Sequence, residues 1–133
     1  EFRETTVKEI MTPSINVFLL PIDLTHDELR DRVVKSGFSR VPICGETADD
    51  IKGILHIKSL LRIADEDPDF DLTPILMQPH YVPESARIST LFGEMGRGRA
   101  HTAVVIDEYG SYVGIVTMED ILEEIVGEIR DSK

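Results

Sequence analysis

Gly53-Ile54-Leu55-His56-Ile57-Lys58-Ser59-Leu60-Leu61 reads again, 61 positions on, as Gly114-Ile115-Val116-Thr117-Met118-Glu119-Asp120-Ile121-Leu122. Arg40-Val41-Pro42-Ile43-Cys44 stands at the same offset from His101-Thr102-Ala103-Val104-Val105, and Met11-Thr12-Pro13 pairs with Met77-Gln78-Pro79 at an offset of 66. Two copies of about 60 residues therefore fill a chain of 133 residues, which is about one domain's worth. Such short copies bury too little surface to stand alone, so the halves are expected to pack on each other as a pseudo-two-fold pair. The boundaries fall at residues 7–65 for the first repeat, 66–74 for an acidic linker and 75–130 for the second repeat.

Each copy reads as strand, helix, two strands, helix, an α/β (α+β) pattern. Thr25-His26-Asp27-Glu28 has capping-box spacing, Leu29, Val33 and Val34 follow as an apolar face, and Gly37 marks the helix end. In the second copy Ile88, Leu91, Phe92 and Met95 recur at helical spacing, with Gly96 and Gly98 closing the helix. Ala103 to Ile106 and Tyr112 to Val116 flank the turn-rich Asp107-Glu108-Tyr109-Gly110-Ser111, as in a hairpin. Pro42 cannot donate to a ladder, which suggests an edge or strand-start position. The last helix carries Ile121, Leu122, Ile125, Val126 and Ile129 against Glu119, Glu123, Glu124 and Glu128. Asp65 to Asp71 reads as a solvated connection, although its acids could attract Mg²⁺ weakly without any EF-hand spacing.

Composition narrows the function classes. Twenty-five acids against 14 bases give a formal net charge of −11. That argues against nucleic-acid binding, whose affinity comes from cations neutralising phosphates, and against a polybasic membrane surface. No apolar run approaches the ~20 residues needed to cross a bilayer. One cysteine, Cys44, excludes an internal disulfide and fits a small core residue. His26, His56, His80 and His101 are scattered without metal-ligand spacing, so no metal site is expected. No nucleophile elbow, phosphate loop or acid–base pair points to an enzyme. Arg87, Arg97 and Arg99 form the one dense basic stretch, either a phosphate-facing patch or a solvated loop or partner contact. The opening Glu1-Phe2-Arg3 suggests a piece of a longer protein.

The run from His101 through Gly110, continued from Gly114 to Ile129, resembles the tandem CBS domains (named for cystathionine β-synthase) of the CorC/HlyC, magnesium and cobalt efflux or hemolysin-like, family. Ile10-Met11-Thr12-Pro13, Ser39-Arg40-Val41-Pro42 and Val82-Pro83-Glu84-Ser85 fit the same family, and the likeness spans Val7 to Arg130. The resemblance implies two clefts able to bind an adenosine nucleotide, ATP or AMP, with or without magnesium. One would use Thr117 for phosphate and Asp120 for the ribose, with Thr12, Asn16, Ser39, Arg40, Val41 and Pro42 as the adenine wall. The other would use His56, Lys58 and Ser59 with Gln78, Tyr81, Ala100, His101 and Thr102. It lacks the ribose carboxylate and is expected to be weak or vacant, with Lys58 still able to meet an anion. Ser14 stands where the family commonly has a basic residue.

The resemblance further implies a homodimer of CBS pairs and a parent protein with membrane or C-terminal domains outside this chain. It places the pair in the cytoplasm, as the cytosolic part of a membrane-associated protein, with no nucleic-acid partner. Thr117-x-x-Asp120 has a second reading from its residues alone, because that spacing before an apolar run is a helix capping box. Ser39 and Arg40 likewise fit a plain surface turn. A structural dimerisation module without ligands is the alternative to a nucleotide-responsive one.

Overall fold

The computed structural model describes residues 4–98 and 100–131. In chain order the elements are α1 (Val7–Ile10), β1 (Thr12–Pro13), a 3-10 turn (Ser14–Asn16), β2 (Leu20–Pro21), α2 (His26–Ser36), β3 (Arg40–Cys44), β4 (Ile51–His56) and α3 (Ile57–Glu66). A second 3-10 turn (Thr73–Ile75), β5 (His80–Pro83), α4 (Ile88–Gly98), β6 (Thr102–Ile106), β7 (Tyr112–Thr117) and α5 (Met118–Asp131) follow. Each repeat thus has the expected strand, helix, two strands and helix in a mixed α/β fold.

The compact units do not follow the repeat boundaries. One holds residues 1–17 together with 79–133, and the other holds residues 18–78. In the first, the sheet order is β1-β7-β6-β5, with Thr12 opposite Ile115 and Pro13 opposite Gly114. In the second, the order is β2-β3-β4, and Met77 bridges to Ile54. Each hairpin therefore receives on its outer edge a Met-x-Pro segment that precedes the other repeat in sequence. Each unit has its own core: Leu29, Val33, Val41, Ile43, Leu55 and Leu60 in one, Val7, Leu91, Met95, Val105, Val116 and Ile121 in the other.

Local chemistry explains most boundaries. The Thr25 hydroxyl accepts from the Glu28 amide at 3.2 Å, and Glu28 accepts from the Thr25 amide at 3.0 Å, so two orphan donors at the start of α2 are satisfied. Gly37 ends that helix at φ 77°, a left-handed position that costs glycine nothing. The Thr25 amide and hydroxyl, helped by Arg32, hold the Glu28 carboxyl below its ordinary value against a small desolvation. A depressed folded value means that the cap stabilises fully above the ordinary carboxylate range and weakens as the pH falls through the lowered one. Thr25→Ala is expected to cost about 1 kcal/mol at neutral pH, measured as a fall in urea midpoint.

Several expectations are corrected. Val34 and Phe92 are exposed, so the buried faces of α2 and α4 are narrower than their apolar spacing suggests. Helix α4 does end at Gly98, with Gly96 inside its last turn, and Ala100 donates to the Met95 carbonyl at 3.0 Å. Pro42 lies in the middle strand of its sheet, which is tolerable because pairing with β2 begins only at Ile43. The acidic connection is not simply solvated: Phe70 and Leu72 are buried in the core, and Phe70 stacks on His26 with centroids 4.0 Å apart. Cys44 is buried, as expected of a core residue, and desolvation, with Asp50 and Asp23 nearby, pushes its thiol up. Arg97 lies back along α4 against Gly93, and Arg99 lies outside the described residues.

Candidate functional site

The start of α5 concentrates the polar chemistry. Thr117 closes β7, and its hydroxyl accepts from the Asp120 amide at 3.1 Å while Asp120 Oδ2 accepts from the Thr117 amide at 3.2 Å. The capping box is therefore real. It occupies only one carboxylate oxygen, and among the described residues Asp120 Oδ1 accepts no hydrogen bond. Both side chains are half-buried. The pair can cap the helix and still present a carboxylate oxygen, a hydroxyl and the positive end of the helix dipole to a ligand.

Strand pairing decides what accompanies it. Thr12 lies opposite Ile115, two residues before Thr117, and Asn16 ends the turn that follows; both are exposed. Thr102 lies opposite Thr117, and the His101 carbonyl accepts from the Met118 amide at 2.9 Å. Tyr81, exposed in β5, and Ala100, just before β6, belong to the same unit. One unit thus carries Thr12, Asn16, Thr117 and Asp120 from the first expected set and Tyr81, Ala100, His101 and Thr102 from the second.

The other unit repeats the geometry with different chemistry. His56 is the N-cap of α3, and its Nδ1 accepts from the Lys58 amide at 3.1 Å. An imidazole therefore does the capping that Thr117 and Asp120 do in α5, which the sequence reading missed. Accepting at Nδ1 requires a ring with its proton on Nε2. Ser59, at the Asp120 position, brings no carboxylate, and Lys58 is exposed. Ser39 precedes β3 with its carbonyl accepting from the Ile57 amide at 2.8 Å, as His101 does for Met118. Arg40 lies opposite His56, and its Nε is buried without a hydrogen-bond partner among the described residues. Val41 and Pro42 are buried, and Gln78 is exposed beside the Met77 bridge. Each expected ligand set is thus divided between the two units.

Among the described residues no group of three or more His, Cys, Asp or Glu is arranged to hold a metal ion, and no helix is long and apolar enough to cross a membrane. The start of α5 has chemistry that suits a ribose, since Asp120 Oδ1 can accept from a hydroxyl.

The sequence profile of the CBS domain family matches residues 7–66 and 72–127. The magnesium and cobalt efflux protein CorC of Escherichia coli strain K12 is 41% identical over 132 residues, covering 98% of this chain and 45% of CorC. Hemolysin C of Brachyspira hyodysenteriae is 38% identical over 131 residues, covering 98% of this chain and 48% of that protein. The chain thus spans about half the length of these relatives. A solved CBS domain of a bacterial CNNM/CorC family Mg²⁺ transporter in complex with ATP superposes with a TM-score of 0.84 at 36% identity, covering 92% of this chain and 88% of that one. On this profile match across both repeats and these identities over nearly the whole chain, the protein belongs to the CBS domain family, as a tandem pair of the CorC and hemolysin C kind.

Proposed function

We propose that this CBS pair is a regulatory module that binds an adenosine nucleotide, of the ATP or AMP type, for an ion-transport-associated protein of the CorC kind. In this reading residues 7–65 and 75–130 are the two repeats, joined by residues 66–74. The pair works in the cytoplasm as a homodimer whose two arrangements differ in nucleotide affinity. Binding shifts the balance between them only through that difference. Membrane and C-terminal domains of the parent protein would receive the change. No catalytic or nucleic-acid role is assigned.

The observation that carries this reading is the free oxygen of Asp120, held by the capping box at the start of α5. A carboxylate there can accept from a ribose hydroxyl, and Thr117 with the helix N-terminus can meet phosphate. The chain's net charge of −11 gives no general attraction for a polyanion. Binding must come from local donors, Ser39 and Arg40 among them, with magnesium available to offset phosphate charge. Thr12, Asn16, Val41 and Pro42 would form the adenine wall. The set around His56, Lys58 and Ser59, with Gln78, Tyr81, Ala100, His101 and Thr102, has no such carboxylate and stays weak or vacant.

The dimerisation alternative also has an observation behind it: Leu122, Val126 and Ile129 are exposed on α5, and Leu61 is exposed on α3. Titration calorimetry with ATP, ADP and AMP, each with and without Mg²⁺, separates the readings. One nucleotide per chain is expected. Asp120→Ala should weaken it roughly ten- to a hundredfold, the worth of a charge-assisted hydrogen bond. No heat at millimolar nucleotide would leave dimerisation alone. Unchanged affinity in Asp120→Ala would remove the site assignment, and two nucleotides per chain would show the second set to be functional.

A further inference from the structure

We propose that Thr5 and Glu128 are positioning residues for nucleotide binding, clamping residues 5–13 along α5 so that Thr12 and Asn16 are held on the strand leading to Thr117 and Asp120. The proposal rests on the nucleotide reading above and adds two residues that are 123 positions apart in sequence and belong to neither expected ligand set. The Thr5 hydroxyl donates to Glu128 Oε1 at 2.5 Å across 123 residues of sequence. Thr5 is 6% exposed, and Glu128 is half-buried. A carboxylate in the last turn of a helix faces the negative end of its dipole. On sequence grounds Glu128 belongs with the solvated acids of α5, yet here it takes a buried hydroxyl.

The surrounding contacts show why the segment needs the clamp. Helix α1 has four residues, far too few to hold itself. Its place comes from Ile88 donating to the Thr5 carbonyl at 3.0 Å, Val7 donating to Ala86 at 2.8 Å and Lys8 donating to Glu84 at 3.0 Å. Val7 is fully buried in the same core as Ile121. At the far end Thr12 and Pro13 pair with β7. Glu128 and Met118 are ten residues apart on α5, about 15 Å at helical rise. One helix therefore carries Asp120 at its start and the clamp near its end, and the segment ending in Thr12 runs between the elements they hold. If the docked segment favours nucleotide, bound nucleotide must favour docking by the same factor.

The test combines ATP calorimetry with amide hydrogen exchange on the full chain. Loss of the clamp lowers the fraction of chains with the segment docked, so apparent affinity falls by that fraction. Thr5→Val and Glu128→Ala are each expected to weaken ATP roughly three- to tenfold. The double variant should be no weaker than either, because both remove one interaction. Thr5→Ser, which keeps the hydroxyl, should bind within about twofold of wild type. ATP should slow exchange at the Val7 and Lys8 amides in wild type and slow it less in Thr5→Val.

A purely structural clamp would speed exchange in Thr5→Val while leaving ATP affinity, and the effect of ATP on exchange, unchanged; that result overturns the proposal. So does equal weakening in Thr5→Ser and Thr5→Val. Failure of the nucleotide reading itself is visible in wild type alone, as no ATP binding before any variant is compared, and it removes this proposal too.

Discussion

Ile121→Ala is expected to destabilise the protein by about 2–5 kcal/mol, the usual cost of truncating a fully buried aliphatic side chain. Ile121 has no exposed surface and packs in the core with Val7, Leu91, Met95, Val105 and Val116. The neighbouring Leu122 is 43% exposed, so Leu122→Ala should stay within about 0.5 kcal/mol of wild type. The comparison separates packing from helix propensity, because alanine is the better helix former at both positions. Urea midpoints at unchanged slope provide the measurement. The same substitution should weaken nucleotide binding, since Ile121 anchors the first turn of α5 next to Asp120. A loss below about 1 kcal/mol would mean that the site collapses around the smaller side chain.

The repeat made most of the fold legible. An identical order of elements in both copies, the Thr25 capping box and the Gly37 terminus could be read because each depends on residues within one turn of each other. What could not be read depends on partners distant in sequence. Val34 and Phe92 have correct helical spacing, but which part of an apolar face is covered is decided by the neighbouring elements. Phe70 and Leu72 are lost among acids in sequence, although two apolar side chains in a polar run were a signal that this connection is pinned. Nothing local shows that residues 4–17 join the unit of the second repeat, with Thr12 and Pro13 in its sheet. A repeat offset says which segments are alike, not which are paired.

The candidate site shows the same division. Thr117 and Asp120 stood out through spacing, and the structure gives them the geometry of a cap with an oxygen to spare. The repeat also exposed the contrast with His56 and Ser59. It could not show that His56 replaces the cap, since an imidazole acceptor is outside the usual capping residues. Thr5 and Glu128 carried no signal at all: each is an ordinary polar residue whose role arises only when the N-terminal segment lies on α5.

The glycines of the two hairpins link the repeat to the pairing that it concealed. Gly53 and Gly114 occupy equivalent positions, and each faces an incoming Met-x-Pro segment. A Cβ at position 114 would lie 2.6 Å from the Thr12 carbonyl oxygen and 2.7 Å from Met11 Sδ. The sulfur can swing aside; the carbonyl belongs to a backbone paired with β7. Gly114→Ala is therefore expected to cost about 1–3 kcal/mol as overpacking, and the loss should persist in Met11→Ala/Gly114→Ala. Gly127, by contrast, lies in α5 with nothing within 4 Å of an added Cβ, and Gly127→Ala should gain about 0.5–1 kcal/mol from helix propensity. Thermal or urea unfolding of the four proteins distinguishes these outcomes. Because β1 carries Thr12, Gly114→Ala should also weaken ATP binding, whereas Gly127→Ala should not. Were Gly114→Ala as stable as wild type, β1 could not lie against β7 in this register, and Thr12 would have no fixed place in a nucleotide site.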